Sequence, residues 1–228
     1  MIRYRKILFL LVLGIIPHNS FTQDILWLHY FNQYKLSYKF SIDSDIGYRE
    51  YFSEGNRGQI RSGLRYDITE NMYVRAGVML VDGTQVRQEI RPYQDFVIKT
   101  RFNAFTLSQR VRFEEQFFGD NAQTKIRLRY NPSIKYSSSF GYLTFGIEPF
   151  VALNENDFRI VSNRTYIGIT RRAYKNIFVT LEYINERGYK RNERQHINET
   201  NLIRVKINHV IHPLKVGPLF GRKKVTLE

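Results

Sequence analysis

Cysteine is absent from all 228 residues. Its absence excludes a disulfide framework, a thiolate metal site and a lipid-attachment cysteine, so the fold must be held by secondary structure and packing alone. Long hydrophobic runs are missing as well. No stretch of 18 apolar residues occurs, and a mean hydropathy of −0.41 excludes a helical membrane protein. Histidine is scarce. Beyond residue 22 only His29, His196, His209 and His212 remain, and no His or acid cluster has the spacing of a metal site. No cofactor motif is visible.

Aromatic residues and cations are plentiful. Aromatics make up 15% of the chain, with 16 Tyr and 17 Phe, and the formal charge is +14. Such a charge suits an acidic partner such as anionic lipid headgroups. Nucleic acid is excluded on two grounds: the basic residues alternate along the chain instead of forming one patch, and the N-terminus directs export. At this length, with 43% hydrophobic residues, the chain has room for one domain.

The first residues carry the export signal. "MIRYRKILFLLVLGIIPHNSFTQ" places Arg3, Arg5 and Lys6 before an apolar run from Ile7 to Ile16, then Ser20 and Thr22 at the small-residue positions of a cut before Gln23. This is the three-part layout of a secretory signal, and its apolar core is too short for a permanent span. The expected organisation is a signal peptide over 1–22, a barrel over 23–213, and a basic tail or weak last strand over 214–228. Removing the three cations of the signal leaves +11.

After the signal, a period of two governs the chain. In "KIRLRYNPSIKY", Lys125, Arg127, Arg129, Asn131, Ser133 and Lys135 share one parity, and Ile126, Leu128, Tyr130, Pro132, Ile134 and Tyr136 share the other. "VTLEYINE" sets Val179, Leu181 and Tyr183 against Thr180, Glu182 and Glu186. "RVRFEEQF" and "LIRVKINHV" alternate likewise, with Glu115 breaking the apolar parity of the former. The pattern predicts strands Leu26–Tyr34, Phe40–Phe52, Gln59–Ile68, Met72–Val81, Ile90–Thr100, Leu107–Phe117, Lys125–Tyr136, Tyr142–Val151, Ile160–Thr170, Asn176–Glu186 and Leu202–Ile211. Most have the length a tilted strand needs to cross a hydrocarbon layer, about 9–11 residues. A soluble sandwich also alternates. Here, however, the polar face is dense in charge along whole strands, and only a closed barrel satisfies every backbone group in lipid. The predicted fold is therefore all-β, an antiparallel transmembrane β-barrel of about 10–12 strands.

The blocks "WLHYFNQYKLSYKFSIDSDIGYREY", "RSGLRYDITENMYVRAGVMLV", "EIRPYQDF" and "TLSQRVRFEEQFF", followed by "KIRLRYNPSI", are similar in their order to the Bacteroidetes outer-membrane barrel family catalogued as domain of unknown function 2490. The resemblance runs from about Leu26 to Ile211, with Tyr93 of "RPYQDF" in an aromatic position where the family pattern carries tryptophan. It implies an outer-membrane β-barrel and brings no catalytic residue with it.

The segments number 11, whereas single-chain bacterial barrels close with an even number. Two solutions stay open: ten strands with Leu26–Tyr34 packed elsewhere, or twelve with "LKVGPLFGRKKVTLE" as a poor last strand. Ten strands would put the longer connectors, including 187–201, outside the cell and "RFNAF" and "RRAYK" in the periplasm. The lumen-facing parity collects Arg61, Arg65, Arg75, Arg110, Arg112, Glu114, Arg127, Arg129, Glu148, Arg164, Glu182 and Arg204. These predict an interior ion-pair ladder, since the arginine fork bridges carboxylates, or a basic constriction that selects anions. The functional expectation is a non-enzymatic outer-membrane component, either a narrow or occluded pore or an accessory of the envelope. Its expected partners are outer-membrane lipids, with lipopolysaccharide phosphates meeting Lys190, Arg191 and Arg194, and other envelope proteins. Two alternatives are a lipid-modifying membrane enzyme using a histidine or an acid pair such as Asp43 and Asp45, and a secreted soluble barrel or sandwich that binds a ligand.

Overall fold

The computed structural model describes residues 24–52, 55–84, 87–119, 124–153, 159–189 and 196–212. The expected signal segment, the tail 214–228 and the basic connector residues Lys190, Arg191 and Arg194 lie outside them. Within them the chain forms β1 (Asp24–Lys35), β2 (Phe40–Tyr51), β3 (Asn56–Asp67), β4 (Met72–Asp82), β5 (Glu89–Phe102), β6 (Phe105–Phe118), β7 (Lys125–Ser138), β8 (Gly141–Ala152), β9 (Arg159–Tyr174), β10 (Ile177–Tyr189) and β11 (His196–Ile211). Consecutive strands pair antiparallel, and β1 closes the ring on β11.

That closure corrects the strand count expected from an even-numbered barrel. The ring holds the odd number, with β1 inside the wall and not packed elsewhere, and with closure reached without any strand from the tail. Because β1 and β11 both start at the same end, they pair parallel, with Asp24 beside Asn201 and Tyr34 beside Ile211. An odd number leaves no antiparallel choice for the seam. The barrel is thus mixed, antiparallel at every junction except this one.

Connectors sort by length between the two ends. Residues 36–39, 68–71, 103–104, 139–140 and 175–176 turn at one end; 52–55, 83–88, 119–124, 153–158 and 190–195 connect at the other. The tightest turns use the chemistry such turns need: Asn103 opens the 103–104 hairpin at φ 49°, a left-handed value that asparagine tolerates. Followed once around the ring, the register returns to β1 displaced by about 14 residues, a stagger that tilts the strands by about 40° and sets a backbone diameter of about 20 Å. At about 3.3 Å per residue, 12 tilted residues rise about 30 Å.

The two faces of the wall are chemically opposite. Outward positions are predominantly apolar, from Leu28, Ile46 and Ile60 through Val78, Phe96 and Val111 to Phe145, Ile167, Leu181 and Ile203, all exposed, with Ser44, Ser62, Gln94 and Gln109 among the polar exceptions. Around the short-turn end the outward residues become aromatic, with Phe40 on Tyr66 (5.0 Å), Phe102 on Phe105 (5.7 Å) and Phe105 on Tyr136 (5.1 Å). Inward positions bury Asp43, Asp45, Arg75, Asp95, Arg112, Glu114, Glu148 and Glu182. The one sizeable apolar cluster inside joins Ile25 and Trp27 of β1, Ile184 of β10 and Leu202 of β11, with Tyr51 and Tyr166 against it.

Candidate functional site

The period of two turns the charged residues of every strand to the axis, and strand register then decides who meets whom. Asp43 on β2 accepts from Arg75 Nη1 on β4 (2.9 Å); Arg75 donates onward from Nε and Nη2 to Asp95 on β5 (2.9 and 2.5 Å). Arg112 on β6 donates to both oxygens of the same Asp95 (2.6 and 2.8 Å) and lies 3.4 Å from Glu114. Glu114 accepts from Arg127 Nη2 (2.5 Å) and from Arg129 Nη1 (2.8 Å) on β7. Arg129 continues to Glu148 on β8 (2.7 Å), which also accepts from Arg110 (2.5 Å) and faces Arg164 on β9 (3.8 Å). Arg164 ends the run at Glu186 on β10 (2.8 Å). The result is an alternating ladder of charge around most of the wall.

Shorter branches cover the rest. Glu182 accepts from Arg204 Nε on β11 (2.6 Å) with Lys206 Nζ at 3.6 Å. Asp45 gathers His29 Nε2 (2.8 Å), Arg61 Nε (2.5 Å) and Gln59 (3.2 Å) from the strands on either side. Arg65 lies nearer the short turns, bonded to Asp67 (2.6 Å) and stacked 3.7 Å over Tyr73. Each buried carboxylate here is held by at least one guanidinium, which is the condition for a charge to be buried at all.

Many of the guanidinia, most of them already paired with carboxylates, also lie over aromatic rings. Tyr93 lies beneath Arg61, Arg75 and Arg112, with Arg112 Cζ at 4.6 Å from the ring centroid. Phe150 lies beneath Arg127, Arg129 and Arg164 at 4.5 to 5.0 Å, and Trp27 beneath Arg49 (4.0 Å) and Arg204 (4.5 Å). Desolvated cation–π contacts of this kind contribute about 2 kcal/mol each. Tyr93 reaches its place because glycines clear the wall beside it: a Cβ on Gly77 of β4 or Gly63 of β3 would meet its hydroxyl at 2.8 or 2.6 Å. The ring therefore spans two neighbouring strands.

Between these groups runs a cavity of about 1060 Å³ touched by residues of all eleven strands. Along β7 it is lined by Lys125, Arg127, Arg129, Asn131, Ser133 and Lys135, so it extends over nearly the length of that strand. Arg61, Arg75, Arg110, Arg112, Arg164, Arg204, Glu148 and Glu182 line it too, while Glu114 is fully buried under its arginines. The interior aromatics Trp27 and Phe150 were not singled out from the sequence. Their signal was present: Trp27 shares the parity of His29, and Phe150 that of Glu148.

The histidine and acid-pair candidates for catalysis fall into the same pattern. His29 is buried, stacked on Trp27 (5.2 Å) and bonded to Asp45, and its Nδ1 has no partner. His209 faces outward and meets Tyr30 (3.0 Å). Asp43 with Asp45 and Glu182 with Glu186 are each divided among different cations. Among the described residues no three metal-ligating side chains converge.

No curated protein and no solved structure matches the chain. A family model does: that of the proteins of unknown function DUF2490 matches residues 25–197, from β1 to the start of β11, about three quarters of the sequence, and the chain belongs to that family.

Proposed function

We propose that the chain is an integral outer-membrane β-barrel without enzymatic activity, a narrow-lumened component of the envelope stiffened from inside by its arginine–carboxylate ladder. One observation carries this reading. The barrel is inside out, with charge buried along the axis and apolar side chains exposed around the full circumference. A soluble monomer rarely exposes a contiguous apolar patch larger than about 600 Å², and a belt around eleven strands exceeds that. Hydrocarbon is the solvent such a surface matches, and a closed ring leaves no unpaired strand edge to face it. The aromatic residues around the short turns suit the level of the lipid headgroups.

The charged, apolar and small-residue layout of residues 1–22 supports export. In this reading the basic connector residues Lys190, Arg191 and Arg194 meet lipopolysaccharide phosphates. What supports the non-enzymatic reading is the occupation of the lumenal acids by guanidinia. The test is cell fractionation with gel migration in mild detergent. The protein is expected with outer membranes, migrating differently before and after boiling; recovery as a soluble periplasmic monomer overturns the proposal.

A further inference from the structure

At the long-connector end of the lumen, charge pairing fails. Trp27, Arg49 and Arg57 stand in one row across β1, β2 and β3, with Arg49 directly opposite Arg57. Both arginines line the cavity. Neither has a carboxylate within ion-pair distance among the described residues, and the Nε of each has no hydrogen-bond partner. Arg49 is only 7% exposed, and after its burial the charges that act on it most strongly are the guanidinia of Arg164 and Arg57, ahead of the Glu186 carboxylate that Arg164 holds. Arg91, which also feels the charge of Arg57, is by contrast held by Glu89.

Like charges set opposite each other on neighbouring strands destabilise a sheet, and a buried donor left unpaired requires an explanation. Arg91 and Arg110, whose Nε atoms are also unpartnered, each hold a carboxylate through another nitrogen. Among the described residues the group set against Arg49 is the face of Trp27, 4.0 Å beneath it. We propose that Arg49 and Arg57 form a binding site for a phosphate-type dianion, which the guanidinium pair holds by charge-assisted hydrogen bonds from two sides. Two uncompensated cations match two negative charges, and a tetrahedral group has oxygens enough for both forks. The ligand is either a soluble phosphate compound entering the lumen or a lipid headgroup phosphate at the rim. The inference rests on the closed lumen, not on the medium outside the barrel.

The protein carries its own reporter, because Trp27 is its single tryptophan. Full-length protein folded in an uncharged, phosphate-free detergent is titrated with inorganic phosphate at constant ionic strength, following tryptophan emission. Wild type is expected to give a saturable change whose midpoint moves at least tenfold higher in Arg57→Gln, and not at all in Lys135→Gln, which lines the opposite end of the same cavity. Midpoints are compared, since Arg49→Gln would itself alter the indole's surroundings. A second arm compares vesicles containing phosphatidic acid, whose phosphomonoester headgroup can carry two charges, with vesicles of a lipid of no net charge: emission already at its end point in the former identifies the headgroup as the source, and equal emission identifies the soluble compound. An absent or linear response of wild type in both arms overturns the site, as does an equal midpoint in Arg57→Gln or an equal loss in Lys135→Gln. Boiling-dependent gel migration of each variant reports the barrel independently, so a silent titration on an intact barrel counts against the site alone.

Discussion

Glu114 is the residue on which the interior ladder should fail first. It is fully buried, and its two oxygens serve Arg127 Nη2 at 2.5 Å, Arg129 Nη1 at 2.8 Å, Arg112 at 3.4 Å and Arg91 at 3.8 Å. Glu114→Gln keeps the size of the side chain and removes its charge. At an effective dielectric near 20, one opposite charge at about 4 Å is worth about 4 kcal/mol. Several such attractions are lost, while the carboxylate's own desolvation penalty, several kcal/mol, is recovered. The amide also turns two donor hydrogens toward guanidinium donors. The net expectation is a loss of about 3–5 kcal/mol, the range for removing one partner of a buried ion group. The reference is Glu199→Gln, whose pair with Arg187 at 3.3 Å is half exposed and should cost less than about 1 kcal/mol. Urea unfolding of the barrel in lipid vesicles, read by gel migration, measures both. Adding Arg129→Gln to Glu114→Gln should cost less than in wild type, because one of its two carboxylate partners is already gone. Equal, small losses for Glu114→Gln and Glu199→Gln would refute the claim that the ladder holds this barrel together.

Val111, halfway along β6 between Phe96 and Tyr130 in register, tests the outer solvent: Val111→Arg should cost about 2–4 kcal/mol in vesicles if hydrocarbon surrounds it, whereas a change within about 0.5 kcal/mol would indicate water. Gly77→Ala should destabilise by about 1–3 kcal/mol, since the new Cβ would stand 2.2 Å from the Ser62 carbonyl and 2.5 Å from Gly63 Cα; Gly58→Ala, with its nearest contact at 3.6 Å, is the tolerated control in the same unfolding assay. In planar bilayers the unmodified protein should pass little steady current, with anion preference in any openings. Removing guanidinia from the cavity by Arg110→Ser with Arg127→Ser should raise conductance and weaken that preference, because Arg129 continues to hold both Glu114 and Glu148. A large, stable, cation-selective current from wild type would contradict the positive lumen.

Alternation made most of this wall legible. β7 was expected over Lys125–Tyr136 and runs Lys125–Ser138, because each of its residues declares its face by polarity. The expectation faltered where polarity does not discriminate. β1, "ILWLHYFNQY", is largely apolar on both faces, since Ile25, Trp27 and Phe31 pack inward as Leu28 and Tyr30 face out; the even-number rule left it open to being placed outside the ring, and no polar stripe spoke against that. The 187–201 connector was read as loop for the opposite reason. Its residues are polar on both faces, yet β10 and β11 extend to Tyr189 and back from His196, fastened by Asn185 and Arg187 side chains on Glu199. Carboxylate-to-arginine partners lay beyond reach for another cause. They are set by register and stagger around the whole ring, and Arg110 and Glu148, two strands apart, leave no local trace of their contact.

The seam gathers these exceptions into one place and gives them a common cause. Parallel pairing is slightly weaker per residue than antiparallel pairing, so β1 against β11 is the junction most in need of support from side chains. The barrel's one interior apolar cluster is found there, with Ile25 and Trp27 of β1 meeting Leu202 of β11 and Ile184 of β10. Burial of such side chains contributes about 1.5–3 kcal/mol each, without the desolvation penalty an ion pair carries. Trp27 adds a second fastening by lying between Arg49 of β2 and Arg204 of β11, thereby joining the strands on both sides of β1 through one ring. His29, next inward on β1, is tied to Asp45 of β2. The double-sided apolarity of β1 that obscured its place in the sequence is thus what an odd strand needs to close this ring, and it leaves Arg49 over an indole face at the spot where the rest of the lumen would supply a carboxylate.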